Sequence, residues 1–392
     1  MRYLIQNIQL IQDRKKQEAE ILIDQGRIAA MTSPGQMKPL QDAIIIDGQG
    51  RYASHGFIDI HTHGGGGHDY MDGTPEAYLG AAKLHASHGT TGLLPTTLAG
   101  SREELLATFQ VYESVKDQTE GARFLGLHLE GPYLSPAQSG AQDPAYIRKP
   151  DPEEYHMLVE ACPDIRRWTI APELEGAFTM AEYLRQHNIT PSMGHTDATY
   201  DQVVEAVRHG FSHVTHLYSA TSTIVRKGGY RFPGVTESAY LLEDLSVEII
   251  ADGCHLPAPL LQMVYRFIGP DRTTMVTDSM RGAGMPDGES ILGSLAHGQK
   301  VWIEEGVAKL MDRSAFAGSV ATTDRLVRTM ITLAGVPLPV AVDMMTRIPA
   351  RMVGLDQQYG RLQEGSPADL ILFDDSIRIA LTMIDGKIVY QA

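Results

Sequence analysis

The sequence predicts an α/β chain: an eight-stranded (β/α)8 barrel joined to a small β-sandwich built from both chain termini. Three observations predict it. Eight short apolar runs alternate with helical patterns through the middle of the 392 residues. Both ends carry strand-like runs broken by turn residues instead. Five polar segments rich in His, Asp and Glu all fall at the C-terminal ends of the middle runs, where a barrel enzyme gathers its site.

The N-terminal strands are expected at 3–11, which is rich in Ile and Leu, at 20–23, and at 43–47, which reads Ala-Ile-Ile-Ile-Asp. Asp24-Gln25-Gly26 and Asp47-Gly48 supply turns between them. The C-terminal counterparts are 368–373, 377–383 and 387–390, with Asp385-Gly386 as a hairpin turn. Residues 1–53 and 353–392 are therefore assigned to one sandwich, and 54–352 to the barrel.

Barrel strands are expected at 56–60, 91–94, 124–129, 168–170, 189–193, 213–217, 247–251 and 274–277. Helical patterns lie at 75–88, 102–116, 153–162, 178–187, 200–209 and 258–268. An open doubly wound sheet is the competing topology. No G-x-G-x-x-G opens a helix, which argues against the dinucleotide-binding form of that fold. Residues 292–311 hold two further strand-like runs and read as a β-hairpin insertion.

Lys plus Arg number 33 and Asp plus Glu 48, a formal charge of −15, which disfavours general binding to nucleic acid or anionic membranes. An anionic substrate would need a local basic pocket. Cys162 and Cys254 allow one bridge at most, and a reduced cytoplasmic compartment is expected. The first residues show no signal-peptide pattern, and no apolar run reaches transmembrane length.

The chemistry begins at His61-Thr62-His63, followed by four glycines. Alternation along a strand puts both imidazoles on one face, where they can share a metal ion. Glu130 ends a second apolar run and is followed by Gly131-Pro132. Gly194-His195-Thr196-Asp197, Thr215-His216-Leu217-Tyr218 and Thr277-Asp278-Ser279 end three more. Singly, each His or Asp is more often structural than functional. Their common placement at strand ends is what points to a metal site.

An H-x-H on the first strand, a later Glu, two His on successive strands and a final Asp resemble the amidohydrolase superfamily. The segments His128-Leu129-Glu130-Gly131-Pro132, Ala251-Asp252-Gly253-Cys254-His255 and Thr277-Asp278-Ser279 narrow the resemblance to the N-acetylglucosamine-6-phosphate deacetylase family. The tail Gly365-Ser366-Pro367-Ala368-Asp369 resembles the strand returning to the sandwich in many amidohydrolases. The resemblance implies a homodimeric metal-dependent hydrolase that releases acetate from N-acetylglucosamine 6-phosphate.

Chemically, Glu130, His195 and His216 offer three ligands for Zn2+ or Fe2+ with an open position for water. His61 and His63 can hold a second ion, so one or two ions per chain are expected. Asp278 is positioned as the proton acceptor and donor, beside or on the metal. The resemblance further implies substrate contacts from Ala141, Gln142, Ser219, Ala220, Arg231, His255, Phe316, Ala317 and Gly318, with Arg231 acting across the dimer interface. The chain departs from the family in having Ser219 where Asn is usual and Gln142 where some relatives carry His.

Three alternatives compete. One is a deacetylase of another amino-sugar phosphate, such as N-acetylgalactosamine 6-phosphate. Another is a different amidase; cyclic amidases of the superfamily usually bridge two metals with a modified strand-end Lys, and no expected strand here ends in Lys. The third is a non-catalytic relative, which would be expected to have lost ligands that this chain keeps.

Overall fold

The computed structural model describes residues 1–37, 42–118 and 120–392. Eight parallel strands form the barrel wall: β1 (Phe57–Thr62), β2 (Thr90–Thr97), β3 (Leu127–Glu130), β4 (Ile165–Ile170), β5 (Thr190–Met193), β6 (His213–Val214), β7 (Ser246–Ile250) and β8 (Thr273–Val276). Each pairs with its neighbours in chain order from β1 to β8. Beyond the last ladder, the Asp278 N–H donates to His61 O at 2.9 Å, which brings the end of β8 back to the end of β1.

These strands are buried on both faces, as parallel strands covered by helices must be. Outer faces pack on helices such as Pro75–Ser87, Arg102–Val115 and Ala177–Gln186. The helix starts are legible locally. The Thr74 hydroxyl accepts from the Ala77 N–H, and Ser101 and Glu104 form a reciprocal capping box. Four helices lie outside the expected set: Val235–Leu241, Thr323–Ala334, Leu338–Asp343 and Arg347–Met352. The last two are six residues each, too short to show helical periodicity.

The two chain ends meet in one continuous eight-stranded sheet. Tyr52–His55 is its seam, running parallel to Arg2–Gln12 on one side and antiparallel to Leu370–Phe373 on the other. The sheet curls until its two hairpin turns touch. Gly26 (φ +80°) lies so near Asp385 that a Cβ there would be 2.6 Å from its carbonyl oxygen, so only glycine fits. Alternation gives the sheet two cores. Leu370 and Leu372 pack with Ile5, Ile21 and Met383 inside the curl, while Ile371 and Phe373 face the barrel with Phe57.

The strand expected at 20–23 is the inner half of Lys15–Asp24. Its outer half, Lys15 to Glu18, is exposed and carries no apolar signal. The insertion expected as a lone hairpin is a four-stranded antiparallel sheet of Gly288–Leu292, Gln299–Glu304, Val307–Leu310 and Phe316–Ser319. Its two flanking strands are Gly- and Ser-containing and short, which hides them in sequence. No described helix is long and apolar enough to cross a membrane.

Candidate active site

At the C-terminal mouth of the barrel, β1 delivers His61 and His63, β3 delivers Glu130, and the turns after β5, β6 and β8 deliver His195, His216 and Asp278. The last three adopt left-handed backbone, with φ of 47°, 26° and 45°. Such a conformation costs about 1–2 kcal/mol per residue and persists only where surroundings impose it. The imposing contacts are visible at Asp278. Its N–H is held by His61, and its carbonyl accepts from the Ser319 N–H at 2.8 Å. Gly318 crosses so close that a Cβ would stand 3.1 Å from that carbonyl oxygen.

Six side chains converge. His195 Nε2 and His216 Nε2 lie 3.2 and 2.9 Å from Glu130 Oε1. His63 Nε2 lies 3.3 Å from Glu130 Oε2 and 3.1 Å from Asp278 Oδ1. His61 Nε2 is 3.4 Å from Asp278 Oδ1 and 3.5 Å from Glu130 Oε1. Two three-residue groups result, His61–His63–Glu130 and Glu130–His195–His216, each compact enough to surround one ion.

The donor pattern fits a cation. His61 Nδ1 sits 2.7 Å from Glu248 Oε1, His63 Nδ1 sits 3.2 Å from Thr96 O, and His195 Nδ1 sits 2.8 Å from Gln138 O. Each acceptor calls for an Nδ1–H, which leaves the Nε2 of a neutral ring with a bare lone pair. Yet His61 and His63 bring their Nε2 atoms within 3.3 Å. Two lone pairs at that distance repel unless a proton or a metal ion lies between them. Charge tells the same story. Burial opposes a charged His63, but Asp278 and Glu130 outweigh it and raise its pKa to about 9. Burial likewise opposes ionisation of Glu130, but His61 and His195 hold it well below the usual carboxylate range. Without an ion, the cluster takes up protons in its place.

Above the cluster lies a cavity of about 290 Å³. Of the expected substrate contacts, Ala141, Gln142, Ser219, Ala220, His255, Phe316 and Gly318 line it. Gln142 already spends its amide, donating to Glu130 Oε2 at 2.7 Å and accepting from the Ala99 N–H at 2.8 Å. It therefore holds Glu130 in place. His255 directs Nδ1 at Asp252 Oδ2, 2.8 Å away, and packs its ring 4.8 Å from Phe316.

Two expected contacts are not brought there within this chain. Ala317 is fully buried in the core of the insertion sheet, because it alternates with Phe316 and Gly318 along one strand. Arg231 stands exposed on a hairpin of Val225–Lys227 and Tyr230–Phe232, directly across from Arg226. Among the described residues its guanidinium reaches only Gly229 O, at 3.1 Å.

Beneath the cluster the bore is polar where many barrels pack Val, Ile and Leu. Arg167 and Glu248 form a buried ion pair, joined by His128, Thr169, Ser192, His213 and Thr215. Sequence reasoning passed over Arg167 and Glu248. The available signal was a charge inside an apolar strand, as in Val247-Glu248-Ile249.

Residues 52–389 match the amidohydrolase family model. The chain belongs to the amidohydrolase family. This amidohydrolase is 32% identical over 393 residues to the N-acetylglucosamine-6-phosphate deacetylase of Lysinibacillus sphaericus, covering 99% of this chain and 98% of the relative. It is 31% identical to the N-acetylgalactosamine-6-phosphate deacetylase of Escherichia coli O157:H7, over 85% of this chain and 86% of that one. Among solved structures, a point variant of N-acetyl-D-glucosamine-6-phosphate deacetylase from Mycobacterium smegmatis, in complex with N-acetyl-D-glucosamine-6-phosphate, superposes with a TM-score of 0.90 at 29% identity and covers 100% of both chains.

Proposed function

We propose that this amidohydrolase is a metal-dependent deacetylase that hydrolyses N-acetylglucosamine 6-phosphate to glucosamine 6-phosphate and acetate. The observation that carries the reading is the convergence of four imidazole Nε2 atoms and two carboxylates under a small-ligand cavity, in a chain aligned end to end with deacetylases of that substrate class. In this reading Glu130, His195 and His216 hold Zn2+ or Fe2+, and His61, His63 and Glu130 hold a second ion. A divalent ion in such a site supplies Lewis acidity to an amide carbonyl and acidifies water.

The chain's own residues do the rest. Asp278 accepts a proton from the attacking water, whose oxygen bonds to the acetyl carbon. The same carboxyl returns the proton to the sugar nitrogen as the C–N bond breaks. Burial raises the proton affinity of Asp278, but His61 and His63 hold its pKa below the usual value, so it begins as the base. Gln142 keeps Glu130 oriented, and His255 presents Nε2 to the sugar phosphate.

Among the described residues the cavity lining contains no Lys or Arg. A phosphate prefers cationic donors. We assign them to the hairpin of a second copy, whose Arg231, Arg226 and Lys227 stand exposed beside exposed Tyr230 and Phe232. The active species is then a homodimer. The similar identity to the N-acetylgalactosamine-6-phosphate deacetylase supports a second reading, in which the epimer at C4 is galacto. Acetate release from N-acetylglucosamine, N-acetylgalactosamine and N-acetylmannosamine 6-phosphates, with each free sugar alongside, tests both. Preference for a phosphorylated sugar is expected. Equal kcat/KM for phosphorylated and free sugars would contradict the phosphate assignment.

A further inference from the structure

Glu248 lies on β7, fully buried beneath the cluster and outside the cavity. Its Oε1 accepts from His61 Nδ1–H at 2.7 Å and from the backbone N–H of His216 at 3.0 Å. Its Oε2 meets Arg167, also fully buried, and lies 3.4 Å from His213 Nε2. Arg167 spends its remaining donors on Ser192 Oγ, Thr215 Oγ1 and Ile60 O, at 2.9, 2.8 and 3.3 Å. One carboxylate thus touches a ring of one three-residue group and the backbone of the other.

The nature of each acceptor separates the histidines. His63 and His195 rest their Nδ1 on main-chain carbonyls, whereas His61 rests on a carboxylate. A carboxylate acceptor fixes the tautomer and makes the opposite nitrogen a stronger donor to a metal ion. An isolated carboxylate at this depth would be too costly to keep charged. Arg167 makes it tenable by meeting Oε2, and the guanidinium is itself held there by Ser192 and Thr215.

We infer that Glu248, clamped by Arg167, is a positioning residue that makes the His61/His63 half of the cluster able to hold a second ion. The inference rests on the metal-dependent reading above. It implies that occupancy of that half depends on a residue that touches neither ion nor substrate.

The test is Zn2+ stoichiometry by elemental analysis, with chelator competition to rank the two ions. Wild type is expected to hold two Zn2+ per chain. Glu248→Gln keeps an acceptor oxygen for the His216 N–H but loses the charge, so the weaker ion should bind about 10-fold less tightly. Because that variant leaves Arg167 unpaired, Glu248→Leu with Arg167→Met replaces the whole pair by apolar groups, and the weaker ion should lose about 100-fold. His61→Ala should lose the same ion outright. Adding Glu248→Gln to His61→Ala should then change the remaining ion by less than about threefold, since the coupled partner is gone. A weaker ion unchanged in a folded Glu248 variant would overturn the inference, as would an equal further loss in the His61→Ala background. A wild-type chain with one ion would overturn the inference alone. A wild-type chain that takes no ion would overturn the metal reading beneath it.

Discussion

Replacing Asp278 by Asn isolates proton transfer from everything else at the mouth of the barrel. The backbone there is held independently of the carboxylate: its N–H donates to His61 O at 2.9 Å and its carbonyl accepts from Ser319 at 2.8 Å. The φ of 45° is one that Asn tolerates as readily as Asp. The side-chain amide is the same size, so substrate affinity should stay within about threefold. What disappears is the base 3.1 Å from His63 and 3.4 Å from His61. Loss of general acid–base catalysis costs about 10²–10⁴-fold in kcat, or about 2.7–5.4 kcal/mol in barrier height. The assay is steady-state acetate release, with the ion content of wild type and variant measured on the same samples. A variant kcat within about threefold of wild type, at equal ion content, would refute the assignment of Asp278.

Three further outcomes are expected. His195→Ala removes one of the three residues around the first ion position, so ion content and turnover should fall together, read by elemental analysis and acetate release; full activity in an ion-free variant would contradict the assignment. The surrounding carboxylates raise the pKa of His63 to about 9 and raise that of His61 as well, so ion binding must displace protons at neutral pH, and affinity should rise with pH by at least about tenfold per unit between about pH 6 and 9. Chelator competition from pH 6 to 9 checks this, and a flat profile would contradict it. Arg231→Ala should raise KM for the phosphorylated sugar and leave the free sugar unchanged, lowering kcat/KM for the former by about 10- to 100-fold, as expected for a charge-assisted contact of about 1.5–3 kcal/mol.

The barrel was legible because its strands form short, largely apolar runs, and because most of the helices between them are long enough to show a 3.6-residue period. The six converging side chains were legible from their shared placement: His61, His63, Glu130, His195, His216 and Asp278 all stand at or just beyond the C-terminal ends of apolar runs. Elements dominated by tertiary context were not legible. The exposed half of Lys15–Asp24 is a strand because Arg2–Gln12 pairs with it, not because its own residues alternate. Arg167 and Glu248 look like charges that should interrupt strands. They are tolerated because they neutralise each other in a bore that no sequence window displays. Ala317 and Arg231 were placed at the site by motif alone, and a motif does not show where strand alternation or a hairpin puts a side chain. Ala317 lies in the core of the insertion sheet by strand alternation, and Arg231 stands exposed on its hairpin, outside the lining of the cavity.

The most direct test of metal-dependent deacetylation is one titration. The purified chain is stripped with a chelator, then Zn2+ or Fe2+ is added back stepwise while acetate and free amine released from N-acetylglucosamine 6-phosphate are counted. The expected result is no turnover in the stripped protein, restoration in proportion to bound ion, and acetate and amine formed in equal amounts. A folded, fully ion-loaded chain that releases no acetate from any of the three amino-sugar phosphates, or a stripped chain that releases it at the full rate, would contradict it.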